Sequence, residues 1–320
     1  MIRRIAGVLL VLLAASCASS RSAERGRILE GMQQAMGPLP PESRRVPADL
    51  QVLKEERLAK YTLRRVTFAV EPGDRVPAIL LVPHGLTRPA PAVLALHQTV
   101  AHGKEDVVGK GRPNMAYGAE LAELGYVVLA PDYPGFGDYV GVDPYALGYE
   151  SATMKGIWNH RRAVDVLQSL PEVDGTRIGV IGHSLGGHNA LFLAAFEPRV
   201  KAVVTSCGFT SFAKYYGGNL SGWSHKGYMP KIAAVYGKDP ARMPFDFPDV
   251  LVAIAPRPLF INAPLHDSNF DASGVRDCVE LARRVYDPDR LVAQYPDAAH
   301  DFPQAVRQAA YAFLDRALRQ

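Results

Sequence analysis

Short apolar runs alternate with stretches of helical periodicity through most of the chain. The near-continuous apolar runs, typical of strands that are covered on both faces, are Ala92–Leu96, Val127–Ala130, Ile178–Ile181, Ala202–Thr205, Leu259–Ile261 and Leu291–Tyr295. The helical patterns between and after them are Met115–Leu124, Tyr149–Leu170, Leu185–Phe196, Ser273–Val285 and Pro303–Leu318. Strands that alternate with helices pair in parallel through right-handed crossovers. The pattern therefore predicts an α/β fold with an open, doubly wound, mostly parallel sheet.

Two segments depart from this alternation. Tyr61–Val70 alternates in polarity, Val76–Val82 is apolar, and a turn sequence separates them, which predicts an N-terminal β-hairpin. After the strand that ends near residue 206, residues 207–255 form a long interval rich in Phe, Tyr and Trp. Long insertions in compact folds commonly serve as lids or pocket walls. We therefore expect residues 61–320 to form one domain, in which residues 207–255 are an insertion that covers a pocket.

The first 17 residues resemble an export signal. Arg3 and Arg4 precede an apolar run, Ile5–Ala15, that is too short to span a bilayer and is followed by small residues. The sequence before Cys17 resembles a bacterial lipobox, so Cys17 is a candidate for lipidation and membrane anchoring, with the protein exported to the periplasm or outer membrane. Ordinary cleavage near Ala18, with release of a soluble protein, is the alternative. Residues 18–60 are polar and proline-containing and predict a tether with a short helix.

Composition excludes some classes of function. Hydrophobic residues make up 48% of the 320 positions and charged residues 21%, as in ordinary globular proteins. The net charge of +4 comes from scattered Lys and Arg without a nucleic-acid-binding motif, so nucleic acid is not an expected partner. Cys207 and Cys278 lie in apolar stretches, which favours buried free thiols, and a disulfide between them in an oxidising compartment is the alternative. With no CxxC motif and no metal-ligand spacing, no metal or organic cofactor is predicted.

A candidate nucleophile lies between a strand and a helix. Gly182-His-Ser-Leu-Gly186 follows an apolar strand and opens the helical stretch Leu185–Phe196. A sharp strand-to-helix turn needs small residues beside the serine, because bulk there would clash with the neighbouring elements. Such a GxSxG turn raises the Ser184 hydroxyl above the edge of the sheet. Ser184 is therefore the predicted nucleophile.

A serine hydroxyl needs an imidazole to take its proton, and in this architecture the base follows the serine and the acid. Four of the nine histidines follow Ser184. His188 lies one turn along the nucleophile helix, where we expect it to pack or cap, and His225 lies in the insertion. His266 precedes any suitable acid on a following strand. His300 follows the last strand, just before the final helix, and is the predicted base.

The acid is expected after the strand near Pro258–Ala263. Asp267 lies where the carboxyl end of that strand should direct a side chain toward His300. Asp271 is the alternative acid, although it also begins the next helix and could be its N-cap. Asp246 and Asp249 precede the strand and have the character of helix-start residues.

Two backbone N–H groups are expected to bind the oxyanion of the tetrahedral intermediate. The first belongs to Leu185, directly after the nucleophile. The second belongs to Gln98 or Thr99 in the loop after Ala92–Leu96. We expect His97 to support this loop through hydrogen bonds rather than to take part in the chemistry.

Two aromatic residues are candidates for substrate contact. Tyr133 follows the strand Val127–Ala130 in a segment that either lines the cleft or forms a tight structural turn. Trp223 lies in the insertion, where an aromatic residue either contacts the substrate or belongs to the small core of the insertion itself.

Several of these motifs together resemble the α/β-hydrolase superfamily, in particular its dienelactone hydrolase, acetyl xylan esterase and prolyl-oligopeptidase-like serine hydrolases. The residues that carry the resemblance are Leu96-His-Gln98, Gly125–Asp132, Gly182–Gly186, Pro256-Arg-Pro258 and His300-Asp-Phe302. The similarity covers about residues 62–318 and implies the α/β-hydrolase fold. The chain has Ser184 where dienelactone hydrolase uses cysteine, and His97-Gln98-Thr99 where acetyl xylan esterases tend to have His-Gly-Tyr.

The function expected from the motifs and the resemblance is hydrolysis of small-molecule carboxylic esters through a Ser-His-Asp triad and an acyl-enzyme. A small peptidase or amidase with the same machinery is the main alternative, and a non-catalytic binding module of the same fold is another. The sequence does not specify an oligomeric state.

Overall fold

Residues 21–319 are described by the computed structural model. The predicted export signal, including Cys17, lies outside the described residues. Within the described range, none of the helices combines the length and the apolar character that a membrane crossing requires.

A nine-stranded mixed sheet forms the centre of the molecule. Its strands are β1 Gln51–Arg57, β2 Tyr61–Glu71, β3 Asp74–Pro83, β4 Ala90–Leu96, β5 Val127–Pro131, β6 Val173–His183, β7 Val200–Ser206, β8 Leu259–Asn262 and β9 Leu291–Gln294. Their order across the sheet is β1-β2-β3-β5-β4-β6-β7-β8-β9. The pairs from β5 to β9 are parallel, whereas β1, β2 and β3 pair antiparallel and β3 joins β5 antiparallel. The predicted mostly parallel α/β sheet is confirmed.

Helices cover both faces of the sheet. Residues 21–36 form α1, and the later helices are α2 Tyr117–Glu123, α3 Ala152–Ser169, α4 Leu185–Phe196, α5 Lys231–Ala234, α6 Phe247–Ile254, α7 Ala272–Ala282 and α8 Gln304–Leu318. Apolar side chains of α3, α4, α6 and α7 pack on one face, and those of α2 and α8 pack on the other. Because helices cover both faces of the sheet, the central strands bury side chains on both faces. This explains why the sequences of the central strands are continuous apolar runs.

The antiparallel end of the sheet contains a strand that was not predicted. β1 lies within the segment predicted to be a tether and short helix, and it pairs with β2 at the edge of the sheet. All seven of its residues are exposed, and its sequence is Gln-Val-Leu-Lys-Glu-Glu-Arg. An exposed edge strand is held by backbone hydrogen bonds and buries neither face. It therefore needs no alternating apolar pattern, and hydrophobic periodicity cannot detect it.

Most aromatic residues of the segment 207–255 pack inward. Phe209, Phe212 and Phe247 are buried and contact one another or Phe192 of α4 in stacked and edge-to-face arrangements. This aromatic core packs the segment 207–255 against α4, the helix that follows the predicted nucleophile. The segment is thus positioned above the carboxyl end of β6.

Candidate active site

The turn that carries Ser184 is tight and strained. Ser184 has φ 53° and ψ −116°, a conformation that non-glycine residues rarely adopt. A Cβ atom at Gly182 would lie 2.1 Å from the carbonyl oxygen of Gly186, and one at Gly186 would lie 1.9 Å from that of Leu96. Larger residues are therefore excluded at both positions. The half-buried serine lies at the N-cap of α4, directly after β6.

His300 and Asp267 form a close pair at the same end of the sheet. The Nδ1 atom of His300 lies 2.9 Å from each carboxylate oxygen of Asp267. The Asp267 side chain is almost completely buried and also accepts hydrogen bonds from the backbone N–H groups of Asn269 and Phe270. Burial favours a higher pKa for Asp267, but the hydrogen bonds from His300 and the backbone outweigh it, so the pKa lies below its usual value. An ionised carboxylate therefore holds the imidazole through Nδ1.

Ser184 and His300 line one cavity of about 330 Å³. The residues around it are Thr99, Arg112, Ser184, His188, Tyr215, Gly222, Trp223, Tyr228, Asn269, Phe270 and His300. Among the hydrogen bonds made within residues 21–319, none joins the Ser184 hydroxyl to the His300 imidazole. Such bonds are often long or poorly aligned before substrate binds, and tighten in the complex. The fold thus places the hydroxyl and the imidazole on the wall of one cavity.

Asp271, the alternative acid, is not hydrogen-bonded to His300. It is the N-cap of α7, and its carboxylate accepts the backbone N–H of Ser273 at 2.7 Å. The structure therefore brings Asp267, not Asp271, to His300. Asp246 and Asp249, predicted to start a helix, form a reciprocal capping box at the beginning of α6.

The predicted oxyanion donors occupy different environments. Leu185 is the first residue of α4, so its backbone N–H has no acceptor within the helix. Thr99 lines the cavity, where its hydroxyl lies 3.1 Å from that of Tyr228. Gln98 is buried, and its side-chain amide donates to Asp106. Of the side chains in this loop, that of Thr99 faces the cavity and that of Gln98 holds the loop in place.

His97 supports the neighbouring backbone. Its Nδ1 lies 2.6 Å from the carbonyl oxygen of Gln98, and its Nε2 accepts the backbone N–H of Tyr133 at 2.9 Å. Because a carbonyl can only accept, Nδ1 carries the proton and the ring is neutral, in agreement with the burial that lowers the pKa of His97. The expected supporting role of His97 therefore matches its contacts.

Tyr133 and Trp223, the predicted substrate contacts, differ in position. Tyr133 is buried in a small cluster with Ala152 and Leu185, and its hydroxyl donates to the carbonyl of Gly227. It is not among the residues that line the cavity, so its expected contact with substrate is not supported. Trp223 does line the cavity. His188, which was expected to pack or cap, is buried against Trp223 and Tyr228, and it also lines the cavity.

The His300 loop is held by residues that motif reasoning did not identify. Asn262, at the end of β8, donates to the carbonyl oxygen of Asp301 at 2.9 Å and to the hydroxyl of Ser206 at 2.8 Å. The Cys207 thiol donates to the same Asp301 carbonyl at 3.3 Å. Their one signal in the sequence is their position at the carboxyl ends of predicted parallel strands, where sites of α/β sheets lie.

Cys207, Asp267 and His300 form a group of potential metal ligands whose donor atoms lie within 4.8 Å of one another. The carboxylate and the imidazole Nδ1 are already engaged with each other. Burial raises the pKa of Cys207 well above its usual value, with the charge of Asp267 adding to the effect, so the thiolate that a metal needs is disfavoured. This chemistry suits a hydrogen-bonded Asp267–His300 pair better than a metal centre. Cys207 and Cys278 are both buried free thiols.

Comparison with family models identifies the family to which this chain belongs. The family model for acetyl xylan esterase (AXE1) matches residues 41–215, more than half of the sequence. The chain belongs to the acetyl xylan esterase (AXE1) family. A second model, for fungal glucuronyl esterase, matches residues 145–288. As a member of the AXE1 family, the protein is a carboxylic-ester hydrolase of the α/β-hydrolase superfamily.

Individual relatives and solved structures are similar to this chain over most of its length. A Bacillus subtilis (strain 168) protein named as a hydrolase, YtaP, is 29% identical over 259 residues, which cover 76% of this chain and 82% of the relative. A glucuronoyl esterase from Solibacter usitatus shares the fold with a TM-score of 0.70, 18% identity and coverage of 91% of each chain. Acetyl xylan esterase 1 from Thermoanaerobacterium sp. JW/SL YS485 has a TM-score of 0.61, 19% identity and coverage of 93% of each chain. At 18% and 19% identity, these two solved structures show only that this chain shares their fold.

Proposed function

We propose that the protein is a serine esterase in which Ser184, His300 and Asp267 act as nucleophile, base and orienting acid. The observation that carries this proposal is the Asp267–His300 pair, whose His300 lines the same cavity as Ser184. Because the Asp267 carboxylate accepts a hydrogen bond from Nδ1 of His300, the Nε2 atom of His300 is free to accept the hydroxyl proton of Ser184. The strained backbone at Ser184 presents that hydroxyl above the end of β6.

In the proposed reaction, Ser184 attacks the acyl carbon while His300 takes its proton. The oxyanion is bound by the backbone N–H of Leu185 and by one from the loop Gln98–Thr99. Each such donor is worth about 3 kcal/mol of transition-state stabilisation. The imidazolium then protonates the leaving alcohol, and water activated by His300 releases the acyl group.

The expected substrates are small esters, and the names of the related proteins favour esters of carbohydrates. The cavity supports this choice, because aromatic side chains line it together with hydrogen-bonding groups. This chain has His97-Gln98-Thr99 where acetyl xylan esterases tend to have His-Gly-Tyr. The loop therefore differs in sequence within the same family fold.

The proposal is tested with a fluorophosphonate probe and two chromogenic substrates. The protein should be labelled at Ser184 and should hydrolyse p-nitrophenyl acetate, and Ser184→Ala should abolish labelling and reduce turnover by several orders of magnitude. Turnover near that of the unsubstituted protein would refute the assignment. Preferential cleavage of a proline-linked amide would identify an amidase, and a protein that is neither labelled nor active would be a binding module.

The export signal and the lipidation of Cys17 belong to the same proposal. A serine esterase anchored at the periplasmic or outer-membrane surface through Cys17 would meet small esters outside the cytoplasm.

A further inference from the structure

Two basic cavities lie at the amino ends of the parallel strands, at the opposite end of the sheet from Ser184. The first, of about 500 Å³, lies where β7, β8 and β9 begin, and four cations and one acid line it. The second, of about 260 Å³, lies at the start of β4, and three cations and no acid line it. Both border the carboxyl-terminal end of α8, so together they form one surface, the basic face. Its cations are Lys201, Arg257, Arg290 and Arg316 in the first cavity and Arg88, Arg177 and Arg319 in the second.

Three cations of the basic face have no acidic partner within residues 21–319. Arg88, Lys201 and Arg316 are exposed, and none of the described carboxylates lies within ion-pair distance of them. Arg257 differs, because it donates to backbone carbonyls at the end of α4, including that of Ala194 at 2.6 Å. The charge of Arg257 thus stabilises the end of a helix. The charges of the three exposed side chains remain available to a partner.

Helix α1 begins beside the basic face. Near its start, Arg25 donates to the carbonyl oxygen of Ala195 at 2.7 Å, one residue from the carbonyl that Arg257 binds. At its other end, the carbonyl oxygen of Met36 accepts a hydrogen bond from Ser151, the N-cap of α3. Helices that connect parallel strands run against them, so α3 begins at the carboxyl end of the sheet and α4 ends at the amino end. Helix α1 therefore starts at the end of the sheet that carries the basic face.

The proposed lipid attachment site is close to this start. Cys17 precedes residue 21, where α1 begins, by four positions. Four residues of chain reach at most about 14 Å. A lipid on Cys17 would therefore hold the amino end of the sheet, and not the end with Ser184, next to a bilayer.

The spacing of the charges fits a surface better than a small anion. In the sheet order, β4 and β8 are three strand spacings apart, which is about 14 Å. A single phosphate or carboxylate ion cannot contact the cations of both cavities across that distance, whereas neighbouring headgroups of a bilayer can. Anionic headgroups attract exposed Lys and Arg side chains, and each such side chain near the surface strengthens binding.

We propose that the basic face docks on an anionic phospholipid bilayer, with the cavity of Ser184 turned toward the aqueous side. This inference rests on the lipidation of Cys17 in the proposed function, which brings the face to the bilayer. The face then adds a second attachment to that of the lipid and fixes the orientation of the protein. Ester substrates reach Ser184 from the aqueous side rather than from within the membrane.

The experiment measures binding to vesicles in the absence of the lipid. The chain from Ala18 onward contains the whole described sheet and both large apolar cores, so it is the protein to use. It should co-sediment with vesicles of equal parts phosphatidylglycerol and phosphatidylcholine, and not with vesicles of pure phosphatidylcholine. Salt at about 1 M shortens the screening length to about 3 Å and should release the protein. Equal binding to both kinds of vesicle, or to neither, would overturn the proposal.

Substitutions test the face itself. Lys201→Gln and Arg316→Gln should each weaken binding to the anionic vesicles by about fivefold, and together by about tenfold or more, whereas Arg316→Lys keeps the charge and should bind normally. The matched control combines Lys226→Gln and Lys238→Gln, at exposed lysines of the segment 207–255, and should bind like the unsubstituted protein. Both double variants have the same net charge. An equal loss of binding in the two would show that only net charge matters, and the face would be rejected.

A fluorescent label reports the orientation. Cys207 and Cys278 are buried, so a cysteine introduced by Lys201→Cys or Lys226→Cys can be labelled alone with an environment-sensitive dye. Anionic vesicles should shift the emission of the dye at position 201 and leave that at position 226 unchanged. The opposite result would place the end with Ser184 on the membrane and contradict the proposal.

The results separate this inference from the proposed function. The vesicle measurements use a chain without lipid and need no catalysis, so they do not depend on processing at Cys17 or on Ser184. Failure of lipidation would appear as absent palmitate labelling, and failure of the esterase assignment as unchanged hydrolysis in Ser184→Ala. Saturable binding of inorganic phosphate without binding of vesicles would identify a small-anion site and overturn the docking face.

Discussion

The side-chain amide of Asn262 donates a hydrogen bond to the carbonyl oxygen of Asp301, the residue that follows His300, at 2.9 Å. The same amide donates to the hydroxyl of Ser206 at the end of the neighbouring strand. Asn262 thus ties the His300 loop to the carboxyl ends of β7 and β8. It does not touch the reacting atoms, so we assign it a positioning role.

Removal of the Asn262 side-chain amide should slow the chemical step. Asn262→Ala should reduce kcat for ester hydrolysis by about ten- to hundredfold with little change in KM, because a small displacement of the base is costly. Steady-state kinetics on p-nitrophenyl acetate measures both constants. Gln51→Ala, at an exposed residue of the edge strand β1, is the control and should match the unsubstituted protein. A parallel loss of thermal stability with unchanged kcat would show that Asn262 is structural only.

The strain at Ser184 should be visible in stability. Ser184→Gly should be more stable than Ser184→Ala by about 1 kcal/mol, because glycine accepts φ 53° whereas alanine retains the strain. Both variants lack the hydroxyl, so the comparison isolates the backbone. Urea unfolding of the two proteins provides the measurement. Equal free energies of unfolding would indicate that the turn relaxes at no cost.

Two aspartates near the site should respond very differently to substitution. Asp267→Asn should lower kcat by about 10³- to 10⁴-fold, because the amide holds the His300 imidazole in the wrong tautomer. Asp271→Asn should change activity little, since asparagine caps a helix as well as aspartate does. Kinetics of both variants on one ester gives the ranking, and the reverse ranking would exchange the two roles.

Asp246 should make stability depend on pH. Burial raises its pKa to about 6, and the hydrogen bonds from the backbone N–H groups of Phe212 and Phe247 offset only part of this effect. An acid with a raised pKa in the folded state costs stability once it ionises. Relative to Asp246→Asn, the free energy of unfolding should therefore be highest below about pH 4 and should fall as the pH rises to about 6. Urea titrations across this range test it, and parallel curves would contradict it.

Lipidation of Cys17 should be detectable in a bacterial host. Globomycin should block processing, and labelled palmitate should be incorporated into the protein but not into Cys17→Ser. Recovery of a soluble, unlabelled periplasmic product would show ordinary cleavage near Ala18 instead.

Sequence pattern predicted the framework because its signals are local. The apolar runs of β4 to β8 and the periodicity of α3 and α8 follow from burial on two faces or on one stripe, which each segment shows by itself. The glycines around Ser184 report a steric limit that the turn itself imposes at Gly182 and that the neighbouring strand β4 imposes at Gly186. The exposed strand β1 carries no such signal and was not predicted.

The amino-acid sequence by itself determined the α/β class, the serine at the strand-to-helix turn and the order of the acid and base candidates. Only the tertiary structure decided that Asp267 rather than Asp271 meets His300, that Tyr133 is buried, and that His188 and Trp223 face the cavity. The physical reason is that these outcomes depend on how loops from distant segments pack against one another at the end of the sheet. Hydrogen bonds such as that from Asn262 to Asp301 set those loop paths, and they join residues that have no local pattern in common.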